Sequence, residues 1–196
     1  MFEGTNTLQS LSKYFSEVPE LEMMSFIDNW FRKETVKKRE LIFDSGTPNT
    51  RHYFIENGLL RLYIIDASGK EFNLLFAREG QIIGDLNTPK PSIFSLDALE
   101  DSVLYSVSDE GLRELYKLHA RYGGEAGISM LIRSYLFLQR RFVSILSRSA
   151  EENYAELQQQ NPELLQRLPQ YHIASYLGVS AEFLSKIIAR SVKKDF

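Results

Sequence analysis

Between Gln170 and Arg190, two short apolar helical patterns are separated by a single glycine, a spacing that few folds accommodate. Ile173 and Leu177 mark the inner face of a first helix, Leu184 and Ile187 that of a second, and Val179 lies between them. Ala174 is small where two helices must cross closely. Gly178 stands where the chain needs a left-handed turn, which glycine adopts at little cost. Ser180 follows as the natural N-cap of the second helix. An ordinary helical hairpin can share the Gly178-Val-Ser180 junction, but the small, glycine and core positions together predict a helix-turn-helix. The second helix should span about 181–192 and turn Leu184, Ile187 and Ile188 inward. Ala181, Glu182, Ser185, Lys186, Ala189 and Arg190 are then left on its outer face.

Upstream the pattern differs. Residues 7–31 read as helical, with Leu8, Leu11 and Phe15 at helical spacing and Pro19 opening a second helix that carries Leu21, Met24 and Ile27. From Glu34 onward, short β-branched and aromatic runs alternate with turn signals. These are Glu40–Phe43, His52–Glu56, Leu59–Ile65, Glu71–Phe76, Ile93–Leu99 and Val103–Val107. Asn57-Gly58 between two such runs is a two-residue hairpin signal, both positions needing positive φ. So many short strands predict a small barrel or jelly roll. Asp109 is placed to cap a helix running to His119, and Gly123-Gly124 breaks it. A longer helix follows from about Glu125 to Ser147. Ile128, Leu131, Tyr135, Leu138, Phe142 and Ile145 recur in it at spacings of 3, 4, 3, 4 and 3. That is a coiled-coil seam over nearly three heptads, with Phe137, Val143 and Leu146 beside it. The seam can pair with a second copy, pack on the chain's own barrel, or do both. Ala150–Glu156 and Pro162–Arg167 are further helices.

Composition narrows the chemistry. The 196 residues carry no cysteine, which excludes disulfides and cysteine-ligated clusters. No apolar run reaches the length of about 20 residues that crosses a membrane. No secretion signal is visible at the N-terminus, so a soluble cytoplasmic protein without membrane partners is expected. The formal charge is −3, so a nucleic-acid binder would have to concentrate its cations locally or double them by dimerising. From Gln170 onward Lys186, Arg190, Lys193 and Lys194 outnumber Glu182 and Asp195.

Several stretches resemble one family in their wording. Tyr53-Phe-Ile-Glu-Asn-Gly-Leu-Leu-Arg61 resembles the barrel hairpin of the Crp/Fnr regulators. Gly80-Gln-Ile-Ile-Gly-Asp-Leu86 resembles the strand entering their phosphate-binding cassette, and Ser95-Leu-Asp-Ala-Leu-Glu-Asp-Ser102 the strand leaving it. Leu168-Pro-Gln-Tyr-His-Ile-Ala-Ser-Tyr-Leu-Gly-Val-Ser180 is similar to their DNA-binding motif. The likeness covers nearly the whole chain and is that of the shorter regulators common in Bacteroidetes-type bacteria. It implies an α+β chain: an N-terminal double-stranded β-helix or jelly roll of the cyclic-nucleotide-binding kind, a long dimerisation helix, and a C-terminal helix-turn-helix domain. The expected boundaries are 1–123, 124–148 and 149–196. It also implies a homodimer, double-stranded DNA and RNA polymerase as partners, and a small-molecule effector.

Two departures qualify the resemblance. Cassettes that bind cyclic nucleotides hold the ribose hydroxyl with a Gly-Glu pair and the cyclic phosphate with an arginine, because a buried phosphate needs a paired cation. Here Gly84-Asp85 stands for Gly-Glu, Leu86 follows, and the arginine position falls on or near Ser92-Ile93. The nearest cation is Lys90, flanked by Pro89 and Pro91, and the stretch 87–91 is short for the small helix whose amides help hold phosphate. The pocket is therefore expected to take no cAMP or cGMP and no resident cofactor. It would serve another small molecule, none, or only as a dimer scaffold. The six residues after Arg190 are also too few for a β-hairpin wing, which should leave DNA affinity more dependent on the dimer and on Lys193 and Lys194.

In such a motif the early residues of the second helix reach base edges. Glu182 can accept from cytosine and Lys186 can donate to guanine. Ala181 and Ser185 share their face. Ser180, Gln170 and Tyr171 are placed for phosphate, while Arg190 and Lys193 lie far along the helix and suit the backbone. Phe183 either packs inward or meets a thymine methyl. A two-fold pair would read a palindrome. Two rivals come from other classes. A cupin-type metalloenzyme needs clustered histidines, whereas His52, His119 and His172 lie on separate elements and read as surface or capping residues. An interaction module that has lost DNA binding is the other. No Gly-x-Ser-x-Gly elbow or phosphate-binding Walker loop is present, and no enzyme is expected.

Overall fold

A computed structural model describes residues 11, 15, 17–86, 90–123 and 126–192. The elements run α1 (Glu20–Trp30), β1 (Phe31–Val36), β2 (Leu41–Phe43), β3 (Arg51–Asn57), β4 (Leu59–Ile65), β5 (Glu71–Arg78), β6 (Ile82–Gly84), β7 (Ser95–Ala98), β8 (Ser102–Ser108), α2 (Asp109–Arg121), α3 (Ala126–Ser147), α4 (Ala150–Gln160), α5 (Pro162–Arg167), α6 (Gln170–Leu177) and α7 (Ala181–Val192). They fall into two compact units. One comprises residues 1–64 and 75–132; the other comprises 65–74 and 133–196.

The first unit is built on two four-stranded sheets, ordered β1-β8-β3-β6 and β2-β7-β4-β5. Residue alternation sets their faces. In β3, Tyr53 and Ile55 join Leu60 and Leu62 of β4, Leu96 and Ala98 of β7 and Leu104 of β8 in the core between the sheets. Phe54, Tyr105 and Val107 point the other way, into a second cluster with Phe26 and Ile27 of α1 and Leu112, Leu115 and Leu118 of α2. The central strands are thus apolar on both faces, which explains why β3 reads as a near-continuous apolar run. Full burial of each large side chain contributes about 1.5–3 kcal/mol.

The jelly roll and its flanking helices match the expectation, with three local corrections. Asn57-Gly58 does not close a hairpin, because β3 and β4 belong to different sheets. Only Gly58 takes a positive φ, at 111°, and a Cβ there would lie 2.0 Å from Ser102 Oγ. The glycine is required by the close approach of β8 at a corner between sheets. The helix expected to reach residue 31 stops at Trp30, and Phe31–Val36 instead pairs with β8 from Phe31↔Val107 to Val36↔Ser102. Leu11 and Phe15 are buried in the second cluster, while Leu8 lies outside the described residues. The cap of α2 is Ser108, whose hydroxyl accepts from the Gly111 amide; Asp109 is the first helical residue and turns its carboxylate to His52.

Candidate DNA-binding motif and sensor pocket

Gly178 takes the left-handed conformation, φ 72° and ψ 24°. Its amide donates to Ser175 O at 3.2 Å and the Val179 amide to Ala174 O at 3.0 Å, which closes α6 and turns the chain. The Phe183 amide then donates to Ser180 Oγ at 3.2 Å, so Ser180 caps α7 as expected. Ile173, Ala174, Leu184 and Ile187 are buried where the two helices cross. Ile188 is half-buried and Phe183 is exposed.

The outer positions lie where the sequence puts them. Gln170, Tyr171, Ser180, Ala181, Glu182, Ser185, Lys186 and Arg190 are all exposed. Glu182's own amide, then the Ser180 hydroxyl and then Lys186 hold its carboxyl below the ordinary carboxylate range. It therefore stays an acceptor at neutral pH. The Ser185 hydroxyl donates back to Ala181 O at 3.0 Å. Arg190 faces Glu151 at 3.5 Å, and Lys193 lies outside the described residues.

The long helix holds its register against α4 and α6. The Arg141 guanidinium stacks 3.8 Å from the centre of the Tyr176 ring and donates to the Tyr176 carbonyl. Ser144 donates to Asn153, and Ser149 and Glu152 form a capping box at the start of α4. The heptad seam stays uncovered: Leu131, Tyr135, Leu138, Phe142 and Ile145 are all exposed. Beside it Ile132, Leu136, Phe137, Val143 and Leu146 are exposed too. The Ile128 side chain lies outside the described ones.

The residues expected to line a sensor pocket differ in exposure. Asp85 and Ser92 are buried, Gly84 is half-buried, and Leu86 and Ile93 are exposed. Gly84 sits against His52, whose Nδ1 a Cβ would approach to 2.6 Å. The Ser92 amide donates to Thr47 O at 3.0 Å, its carbonyl accepts from Gly46, and its hydroxyl accepts from the Phe94 amide. The amide that would greet a phosphate at this position is therefore already paired within the protein.

Two features escaped sequence reasoning. Arg61 is buried and paired at both nitrogens with Asp97, Nε to Oδ1 at 3.0 Å and Nη2 to Oδ2 at 2.6 Å, and it stacks over Tyr63 at 3.9 Å. The β4–β7 register places Arg61 opposite Asp97 between the core pairs Leu60↔Ala98 and Leu62↔Leu96, so this ion pair faces away from the interior of the roll. The three histidines are buried, which corrects their reading as surface or capping residues. His52 Nε2 meets Asp109 at 2.9 Å, His172 Nδ1 meets Asn73 at 3.2 Å, and among the described residues His119 Nδ1 has no hydrogen-bond partner.

The architecture is thus a two-sheet roll flanked by helices, followed by a long apolar-faced helix and a helix-turn-helix. The cyclic nucleotide-binding domain family model matches residues 33–119. The chain is 26% identical over 175 residues to the regulatory protein HlyX of Actinobacillus pleuropneumoniae, covering 83% of this chain and 72% of that one. Among solved structures it resembles a CooA mutant from Carboxydothermus hydrogenoformans, with TM-score 0.73, 16% identity, and coverage of 99% of this chain and 87% of that one. It also resembles FixK2 from Bradyrhizobium japonicum, with TM-score 0.70, 16% identity, and coverage of 84% and 86%. At such identities the structural likeness fixes the fold alone. The chain thus carries a cyclic nucleotide-binding-type roll and has the fold of the Crp/Fnr-type regulators it resembles.

Proposed function

We propose that the protein is a homodimeric, sequence-specific DNA-binding regulator of transcription, working in the cytoplasm and not as an enzyme. The observation that carries this reading is the outer face of α7. Ala181, Glu182, Ser185 and Lys186 are open on a helix whose inner face is locked by Leu184 and Ile187 and whose start is fixed by Gly178 and Ser180. Such a helix can enter a major groove, with Glu182 and Lys186 reading bases and Gln170, Tyr171 and Ser180 meeting phosphates. The apolar seam of α3 supplies the two-fold contact that would set two such helices about one turn of DNA apart. Among the described residues no helix is long and apolar enough to cross a membrane.

The sensor pocket is read as one that does not take cAMP. Ser92 stands where a phosphate-binding arginine would be needed, and its amide is paired with Thr47. The buried arginine of the roll, Arg61, is neutralised by Asp97 on the other face of the sheet. RNA polymerase and a different small-molecule effector complete the proposed partners.

The test is selection of bound sequences from random duplex DNA by the full chain, repeated with Glu182→Gln and Lys186→Ala. A palindrome should emerge. Each substitution should relax preference at one base pair, at a cost of about 1–3 kcal/mol in discrimination. Binding should also weaken steeply with salt. Unchanged selection by both variants would remove α7 from the reading role.

A further inference from the structure

The helices α1 and α2 run in opposite directions and meet at both ends. At one end Trp30 closes on Gly111, where an added Cβ would lie 2.9 Å from Trp30 Cε3. Glycine is what lets the start of α2 approach the indole so closely. At the other end Arg121 faces Glu22 at 3.7 Å, and the Tyr122 hydroxyl donates to Glu22. Between these two closures the helices leave a cleft of about 220 Å³. Its apolar lining is Phe26, Trp30 and Leu118. The Phe26 and Trp30 rings are stacked there, with centres 6.2 Å apart. The cleft is therefore held open by contacts at its ends and floored by flat apolar surface.

Charge at the rim narrows what such a cleft can hold. Glu22 stands on α1, and Glu114, Lys117 and Arg121 stand on α2. Lys117 pairs with Glu114 at 2.6 Å, as Arg121 does with Glu22, and both pairs are open to solvent. Exposed pairs of this kind contribute little, so a guest can replace either partner at small cost. Two cations and two carboxylates leave the rim neutral. A simple anion would meet both carboxylates, and a simple cation both positive groups. A zwitterion offers every rim charge an opposite one. The floor asks in addition for a flat apolar group, because a ring laid on Phe26 and Trp30 gains stacking as well as burial. At about 30 Å³ per water the cleft holds roughly seven waters, which is room for one amino-acid-sized molecule and too little for a nucleotide.

We propose that the cleft between α1 and α2 is a binding site for a free aromatic amino acid. Lys117 and Arg121 take its carboxylate, Glu22 and Glu114 take its ammonium, and its ring lies on Phe26 and Trp30. Lys117 and Arg121 are four residues apart on α2 and hence neighbours on one helix face, which suits two cations sharing one carboxylate. The site belongs wholly to the first compact unit and uses neither Asp85 nor Ser92. It gives the roll a ligand of a class other than cyclic nucleotides, and it stands independently of the DNA-binding reading.

Trp30 is the only tryptophan in the chain, so tryptophan emission reports on the cleft directly. Phenylalanine titrated into the full chain should change that emission saturably, and calorimetry of the same titration should give the same affinity. Two truncated analogues test the rim. Phenylpropanoate lacks the ammonium and phenethylamine lacks the carboxylate, and each should bind roughly 10-fold more weakly than phenylalanine. Lys117→Gln, a change at an exposed position, should weaken phenylalanine to a similar degree and leave the melting temperature unchanged. Absence of a saturable response in both measurements overturns the site. So does equal binding of either analogue, and so does undiminished binding by Lys117→Gln. None of these results bears on the selection of duplex DNA, which tests α7 alone.

Discussion

Phe142→Lys should break the proposed dimer, and its size can be worked from the subunit. Phe142 sits in the middle of the α3 seam with 63% of its surface open. Full burial of a phenylalanine contributes about 1.5–3 kcal/mol, so roughly 1–2 kcal/mol remains to be gained per copy when a partner covers it. Two-fold symmetry repeats the gain, to about 2–4 kcal/mol per dimer. At 1.4 kcal/mol per tenfold, loss of that contact raises the dimer dissociation constant about 30- to 1000-fold, before the cost of placing two ammonium groups at the seam. Sedimentation equilibrium at low micromolar protein should show the parent chain as a dimer and the variant as a monomer. The control is the adjacent Val143→Lys. Val143 is 53% exposed but lies outside the 3,4 repeat, so the dimer should survive it. A dimeric Phe142→Lys chain, or a Val143→Lys chain that dissociates as readily, would refute the seam as the interface.

Other outcomes follow from the described contacts. Asp97→Leu alone strands the buried Arg61 guanidinium and should cost about 3–5 kcal/mol, while Asp97→Leu with Arg61→Met should recover most of it; urea midpoints that show the two losses simply adding would deny the coupling. Burial holds His119 below its ordinary range, more strongly than Glu17 raises it. The unfolded chain therefore takes up its proton first, and stability should decline as pH falls below about 6.5 toward the lower folded value. His119→Phe should flatten that slope in urea titrations between about pH 7.5 and pH 5, and an unchanged slope would assign it to other groups. Gly178→Ala meets open space and should cost only the left-handed backbone penalty of about 1–2 kcal/mol. Gly58→Ala adds overlap with Ser102 and should cost roughly 3–5 kcal/mol, so equal melting temperatures for the two variants would contradict the close approach at that corner.

What could be read from residues alone was local. Gly178, Ser180, Leu184 and Ile187 lie within ten residues of each other, and their spacing encodes the crossing directly. The 3,4 spacing along α3 is local in the same way, and the helix it predicts is present at Ala126–Ser147. The corner at Gly58 was misread because Asn57-Gly58 carries a hairpin signal, while the true constraint is Ser102, far along the chain. The histidines were misread because burial of a polar ring depends on distant partners. His52 finds Asp109 across 57 positions and His172 finds Asn73 across 99. No periodicity announces such pairs. At the expected pocket, Ser92 in place of a cation is visible in the residues, but the pairing of its amide with Thr47 is a matter of loop geometry.

The second compact unit is not one stretch of chain. It takes in residues 65–74 together with 133–196, so the tip of one β-hairpin belongs with helices encoded far downstream. Cutting the gene at residue 133 would yield a fragment whose α6 had lost the segment that buries His172 and engages Ser175. Anyone isolating the C-terminal helices should therefore graft the ten-residue tip back on, and a permuted or co-expressed version should fold where a simple truncation frays.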